Sequence, residues 1–264
     1  MKRDVSSRIV LNVTETADLV FAIAVSSLYR ATESFVATLD GVPVDVAELP
    51  DAHGGRLHRV RSGPGELVVS YTASVDGAAA PLETTETELL IYRRPSRYAE
   101  SDSLAPTAAA EFSAAPDAAA ILISVAAWVG TQLSYVWGSS LPTDGATRTL
   151  LNRQGVCRDY AHLCVALLRA SGIPARVVAV YAPGLSPMDF HAVAEGWVDG
   201  AWRAVDATTL APRSTLVRIA TGRDASDTAF LNVLSGRADL VSMQVGAVAD
   251  VLPGDDLTQL VSVG

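Results

Sequence analysis

The chain has 264 residues, enough for one large domain or two ordinary ones, and 49% of them are hydrophobic, ample for a sizeable core. A formal charge of −9 is the opposite of the basic footprint of a duplex-binding protein, so no nucleic-acid partner is expected. The most apolar helical run, Ala118 to Val129, is interrupted by Ser124 and is too short to span a bilayer, so no membrane partner is expected either.

The opening MKRDVSSRIV carries charge and lacks the apolar run of a secretion leader. From there to about residue 92 the chain reads as strands: RIVLNVTET, LVFAIAVSS, SFVATLDGVPVDV, LHRVRSG, ELVVSYTASVDG and ETELLIYRR. They are short, rich in Val, Leu and Thr, and separated by turn residues, among them Asp40-Gly41 and Asp76-Gly77. That spacing predicts an antiparallel β-sandwich domain over 1–100. His53 and His58 flank a Gly-Gly turn and read as a solvated hairpin. Pro95 to Pro116, rich in Pro, Ser and Ala, reads as the connection to a second domain over 101–264.

The second domain mixes helix and strand, giving an α+β fold class. Asp117 to Leu133 is Ala-rich with an acid in its first turn, a helix signal. Val156 to Ala170 is apolar almost all round, as a buried central helix should be. Ser171-Gly172-Ile173-Pro174 stops it, because Gly supplies the left-handed cap and Pro forbids continuation. ARVVAVY then reads as a buried strand. Phe190–Val198 and Ala201–Ala207 read as two strands of a hairpin, with Asp199-Gly200 as the turn.

Two cysteines occur, Cys157 and Cys164, seven residues apart on the central helix. A rise of about 1.5 Å per residue separates them by roughly 10 Å, too far for a disulfide. Free thiols suit a cytoplasmic protein. Cys157 opens the helix behind Gly155-Val156. There the macrodipole favours a thiolate, and the unpartnered N–H groups of the first turn can receive an oxyanion. Cys164, among Leu and Val, reads as a structural thiol.

The two-residue turn pairs Val198 with Ala201. Continued along the hairpin, that register sets His191 opposite Thr208 and Val193 opposite Asp206. Asp206 is then the diagonal neighbour of His191, about 7–8 Å away at Cα and within side-chain reach. A thiol at a helix start and a His backed by an Asp have the form of nucleophile, base and orienter. Cys157, His191 and Asp206 are therefore the candidate catalytic residues, with Trp137, Gln154 and Tyr135 as candidates for a second oxyanion donor. A zinc site is disfavoured: Cys157 and His162 lie about 140° apart around the helix. No metal and no cofactor are expected.

GVCRDYAHLCVALLRASGIPARVV followed by FHAVAEGWVDGAWRAVDATTLAPR resembles the transglutaminase-like superfamily in its bacterial branch. The shared pattern is Gly-x-Cys-x-Asp-aromatic-Ala opening a helix that ends in Gly-Ile-Pro-Ala-Arg, then a His-Ala strand and an Asp-x-Thr strand. YRRPSRYAES and RIATGRDASD are similar to further segments of that branch. The resemblance implies a papain-like core, with a central helix on an antiparallel sheet, and an appended N-terminal sandwich. It puts the nucleophile, base and third member on Cys157, His191 and Asp206. Val193 departs from the Trp that many members carry after His-Ala. The function implied is thiol-dependent acyl transfer on a protein, peptide or other amide substrate, with water as acceptor (a cysteine peptidase or amidase) or an amine (a transglutaminase). The alternatives are a non-catalytic scaffold that keeps the fold and an arylamine-type acetyl transferase. Asp159 and Tyr160 read as structural, His162 as a surface or satisfied polar residue, and Arg223 and Asp224 as a local ion pair.

Overall fold

The computed structural model describes residues 1–81 and 83–264. Its first part contains β1 (Lys2–Phe21), β2 (Ala31–Leu39), β3 (Val42–Pro43), β4 (Val46–Pro50), β5 (Arg56–Ser62) and β6 (Gly65–Asp76). Then come α1 (Glu86–Ile91), α2 (Ala105–Phe112), α3 (Ala118–Gln132), β7 (Ser134–Tyr135), α4 (Ala146–Asn152), β8 (Gln154–Gly155) and α5 (Cys157–Ala170). β9 (Ala175–Tyr181), β10 (His191–Val198), β11 (Ala201–Val205), β12 (Val217–Gly222), α6 (Ala225–Thr228) and β13 (Leu231–Ala249) complete the order.

The first strands are antiparallel, as expected, and hydrogen-bond in one curled seven-stranded sheet ordered β3-β2-β6-β1-β5-β4, with β13 on the other side of β1. The hydrogen-bonded ladder runs through all seven strands as one curled sheet. Alternate residues of β1, from Val5 through Ile9 to Val13, are buried, the period of a half-buried strand. β1 absorbs one of the expected strands and the start of the next, because no Gly or Pro interrupts it before Phe21. β6 covers its first part on one side and β5 its last.

β13 lies inside the segment assigned above to the second domain, yet it pairs β1 from Arg3–Ala249 to Phe21–Leu231. The register shifts near Gly236, which has φ +75°; a Cβ there would meet the Thr16 carbonyl oxygen at 2.1 Å. The bulge therefore requires glycine.

Two local readings differ. ETELLI, expected as a strand, is helix α1: the Thr85 hydroxyl accepts from the Glu88 N–H at 3.2 Å, and Glu86 and Glu88 occupy the first turn. Part of the expected connection is helix α2, whose Ala-rich sequence favours helix and whose Ala108 and Phe112 are buried.

The second sheet is antiparallel, ordered β11-β10-β9-β12. Along β9, Ala175 and Val177 belong to a core shared with α2, α3 and α5, whereas Tyr181 packs into the core of the first sheet. These alternate residues share one face. That face is covered by helices at one end and by the first sheet at the other, and a cleft opens at the junction.

Candidate active site

The start of α5 is held by Asp159. Its carboxylate accepts from the Val156 N–H at 2.8 Å and from the Ser140 hydroxyl at 2.8 Å, with the Arg158 guanidinium 3.2 Å away. This is possible because residue 155 is glycine: a Cβ there would lie 2.6 Å from that of Asp159. The Gly-x-Cys-x-Asp pattern therefore has a mechanical basis. Gly155 clears the space, Asp159 ties down the helix start, and Cys157 is left half-buried as the first helical residue. Tyr160 is buried in the core beneath, against Tyr135.

β10 brings His191 to the same place. Asp206 meets it, with Nε2 and Oδ2 2.7 Å apart and both side chains buried. The hairpin turn has positive φ at Asp199 and Gly200, and the ladder has the expected register as far as Ala194–Val205. Asp206 lies one residue beyond β11, so the contact forms past the ladder rather than within it. Thr208 fixes the carboxylate's other oxygen: its N–H and hydroxyl donate to Oδ1 at 2.9 and 2.6 Å. The Asp-x-Thr spacing is thus a turn that aims Asp206 at the imidazole.

The electrostatics follow from burial and pairing. Burial favours the neutral imidazole, but the Asp206 carboxylate and then the Cys157 thiol outweigh it and push His191 up to about 10. Burial alone would raise Asp206; the imidazole and Thr208 hold it below its ordinary value. Nδ1 of His191 is buried with no hydrogen-bond partner among the described residues. The Cys157 Sγ lies 4.0 Å from the carbonyl oxygen of Phe190, the residue before His191.

Cys157 and His191 open onto a cleft of about 500 Å³ that also includes Arg158, Asp189 and Phe230. Asp189 accepts from the Phe190 N–H at 2.7 Å, and burial raises its carboxyl. Of the three candidate oxyanion donors, Tyr135 is the one beside Cys157: burial, reinforced by that cysteine, raises its phenol. Trp137 is 56% exposed and Gln154 faces solvent. Cys164 is buried, and burial pushes its thiol up.

Several readings need correction. Of the two readings of His162, surface or satisfied polar, the second fits: it is fully buried and stacks on Tyr98, its Nε2 accepts from the Ala225 N–H at 3.0 Å, and burial lowers it to about 3. Arg223 pairs with Asp227 at 2.9 Å, while Asp224 accepts from the Tyr98 and Ser226 N–H groups. His58 is buried and stacked on Phe35 at 4.0 Å, and His53 is 2.7 Å from the Tyr92 hydroxyl, so neither is a solvated hairpin residue. Thr208 and the aromatic wall of the cleft carried no signal in the periodicity. Thr208 stood in the Asp-x-Thr pattern without a role.

The pattern of the transglutaminase-like superfamily matches residues 106–207. A protein of Cytophaga hutchinsonii, provisionally assigned as a cysteine protease, is 32% identical with a TM-score of 0.90, over 98% of this chain and 96% of that one. An uncharacterised Mycobacterium leprae protein is 29% identical over 128 residues, 44% of this chain and 45% of the relative. An uncharacterised Mycobacterium tuberculosis protein is 39% identical over 61 residues, 23% of this chain and 19% of the relative. The chain therefore spans less than half the length of these two relatives.

Proposed function

Because the chain belongs to the transglutaminase-like superfamily, we propose that it is a thiol-dependent acyl-transfer enzyme with Cys157 as nucleophile, His191 as base and Asp206 as the residue that orients the imidazole. The observation that carries this reading is the buried 2.7 Å contact between His191 and Asp206 beside a half-buried thiol at a helix start.

Nε2–H of His191 donates to Asp206, which leaves Nδ1 for the thiol proton. The sulfur attacks an amide carbonyl, and the Cys157 N–H, assisted by the Tyr135 hydroxyl, receives the developing oxyanion. The C–N bond breaks, the leaving amine takes the proton from His191, and an acyl thioester remains. Water then adds to the thioester and gives a proton to His191. The C–S bond breaks, the acid leaves, and the thiol is restored. Water is the acceptor we favour, in line with the assignment of the Cytophaga protein; an amine in the same position gives transamidation.

The test is the rate of iodoacetamide labelling at Cys157 against pH, with Cys164 replaced by Ala, in that background and with His191→Ala added. Fast labelling on the acid side that disappears with His191 is expected. A slow rate that rises only near the ordinary thiol value of about 8.5, indifferent to His191, identifies a scaffold and sinks the proposal.

A further inference from the structure

The wall of the cleft beside the thiol is apolar and composite. Phe190, Ala179 and Ile219 come from the second sheet and its loops, Phe230 from the segment before β13, and Ala22 and Met243 from the first sheet. Phe190 and Phe230 stack with centroids 5.4 Å apart, and the far side of Phe190 meets Tyr181 at 5.5 Å. Both phenylalanines stay half-buried, though they lie between the two halves of the molecule. None of the six side chains offers a charge or a hydrogen-bonding group. A charged or amide side chain set against these six would lose its water and gain no partner from them; the polar lining of the same cleft includes Arg158, Asp189, Ser226 and Asn232. A bulky apolar group would bury surface on both sides.

The wall is tied to the reacting sulfur by the chain itself. Phe190 immediately precedes His191, and its carbonyl oxygen is 4.0 Å from Sγ. A volume of about 500 Å³ accommodates a residue-sized group. We propose that the substrates are amides carrying a bulky apolar group next to the reacting carbonyl, and that the first sheet, through Ala22 and Met243, is part of the specificity site. This rests on the reading of Cys157 as nucleophile and narrows its substrate class.

Haloacetamide probes separate the two claims, because the Cys157 sulfur displaces iodide from carbon whatever the N-substituent. The full-length Cys164→Ala protein is labelled with iodoacetamide, N-benzyl iodoacetamide and N-carboxymethyl iodoacetamide, and each rate is divided by that of glutathione with the same probe. The benzyl probe should exceed the parent by about tenfold or more, the usual scale of apolar discrimination, and the carboxymethyl probe should not exceed it. Ala179→Leu, which fills the wall, and Phe230→Ala, which removes part of it, should each lower the benzyl-to-parent ratio several-fold. Equal normalised rates for the three probes on the unsubstituted wall, with fast iodoacetamide labelling that depends on His191, overturn the apolar site and leave the acyl-transfer reading standing. Glutathione-like labelling that ignores His191 overturns both.

Discussion

The start and the middle of β10 carry buried charge in different ways. In the middle, both oxygens of Glu195 are engaged: Arg218 Nη2 meets Oε1 at 2.6 Å, while Arg176 Nε at 2.8 Å and Arg218 Nη1 at 3.1 Å meet Oε2. Trp202 lies over the Arg176 guanidinium at 3.8 Å. Burial alone would raise Glu195, but the two arginines hold it at about 2. At the start, His191 is equally buried, yet one ring nitrogen is matched and the other has no hydrogen-bond partner among the described residues. A closed set of partners fixes a position in the fold. An open valence beside a half-buried thiol is a position for a proton that moves.

Substitutions at the two positions should therefore fail in different ways. Cys157→Ala should abolish turnover on any amide found as substrate, with near-UV circular dichroism unchanged; full turnover in that variant sinks the mechanism. Asp206→Asn should lower the rate of covalent labelling by a factor on the order of 10²–10⁴, since the imidazole loses its tautomer and its counter-charge. Glu195→Gln strands two buried guanidinium groups and should cost about 3–5 kcal/mol of stability by urea unfolding, with little change in labelling per folded molecule. If Glu195→Gln instead stopped labelling in protein that remained folded, the two positions would not be separate. Thr208→Val removes one hydroxyl bond to the Asp206 carboxylate, worth about 1.5–3 kcal/mol, and should slow labelling several-fold.

The pH dependence has the same geography. His191 is raised from its ordinary 6.5 to about 10. Its contribution to stability is whole below about 6.5 and is lost as pH rises toward about 10. Asp206 is held below its ordinary value, so its contribution is present above about 3.8 and fades on further acidification. The urea midpoint should fall on the alkaline side in the wild type and fall less in Asp206→Asn. Equal slopes would mean that the pair is not the source.

The candidate site was largely readable in the sequence because its parts are local. Gly155 to Asp159 is one helix start, and a two-residue turn brings β10 and β11 together. What could not be read is long-range. Nothing in the alternation of residues 231–249 says that they pair with β1. Nothing in Ala22 or Met243 says that they line a cleft with Cys157. His58 and His162 looked polar in isolation; their burial comes from Phe35 and Tyr98, which lie in other elements. The helix at α1 was missed because three consecutive apolar residues outweighed a Thr cap that was present in the string.

The pairing of β1 with β13 also sets an order of events during synthesis. β1 is made more than 200 residues before its partner, and pairing at such separation is slow. During synthesis β1 has one bare edge, a site for association with other nascent chains. Met243 arrives with the same late strand, so the pocket beside the thiol lacks part of its wall until that strand is in place.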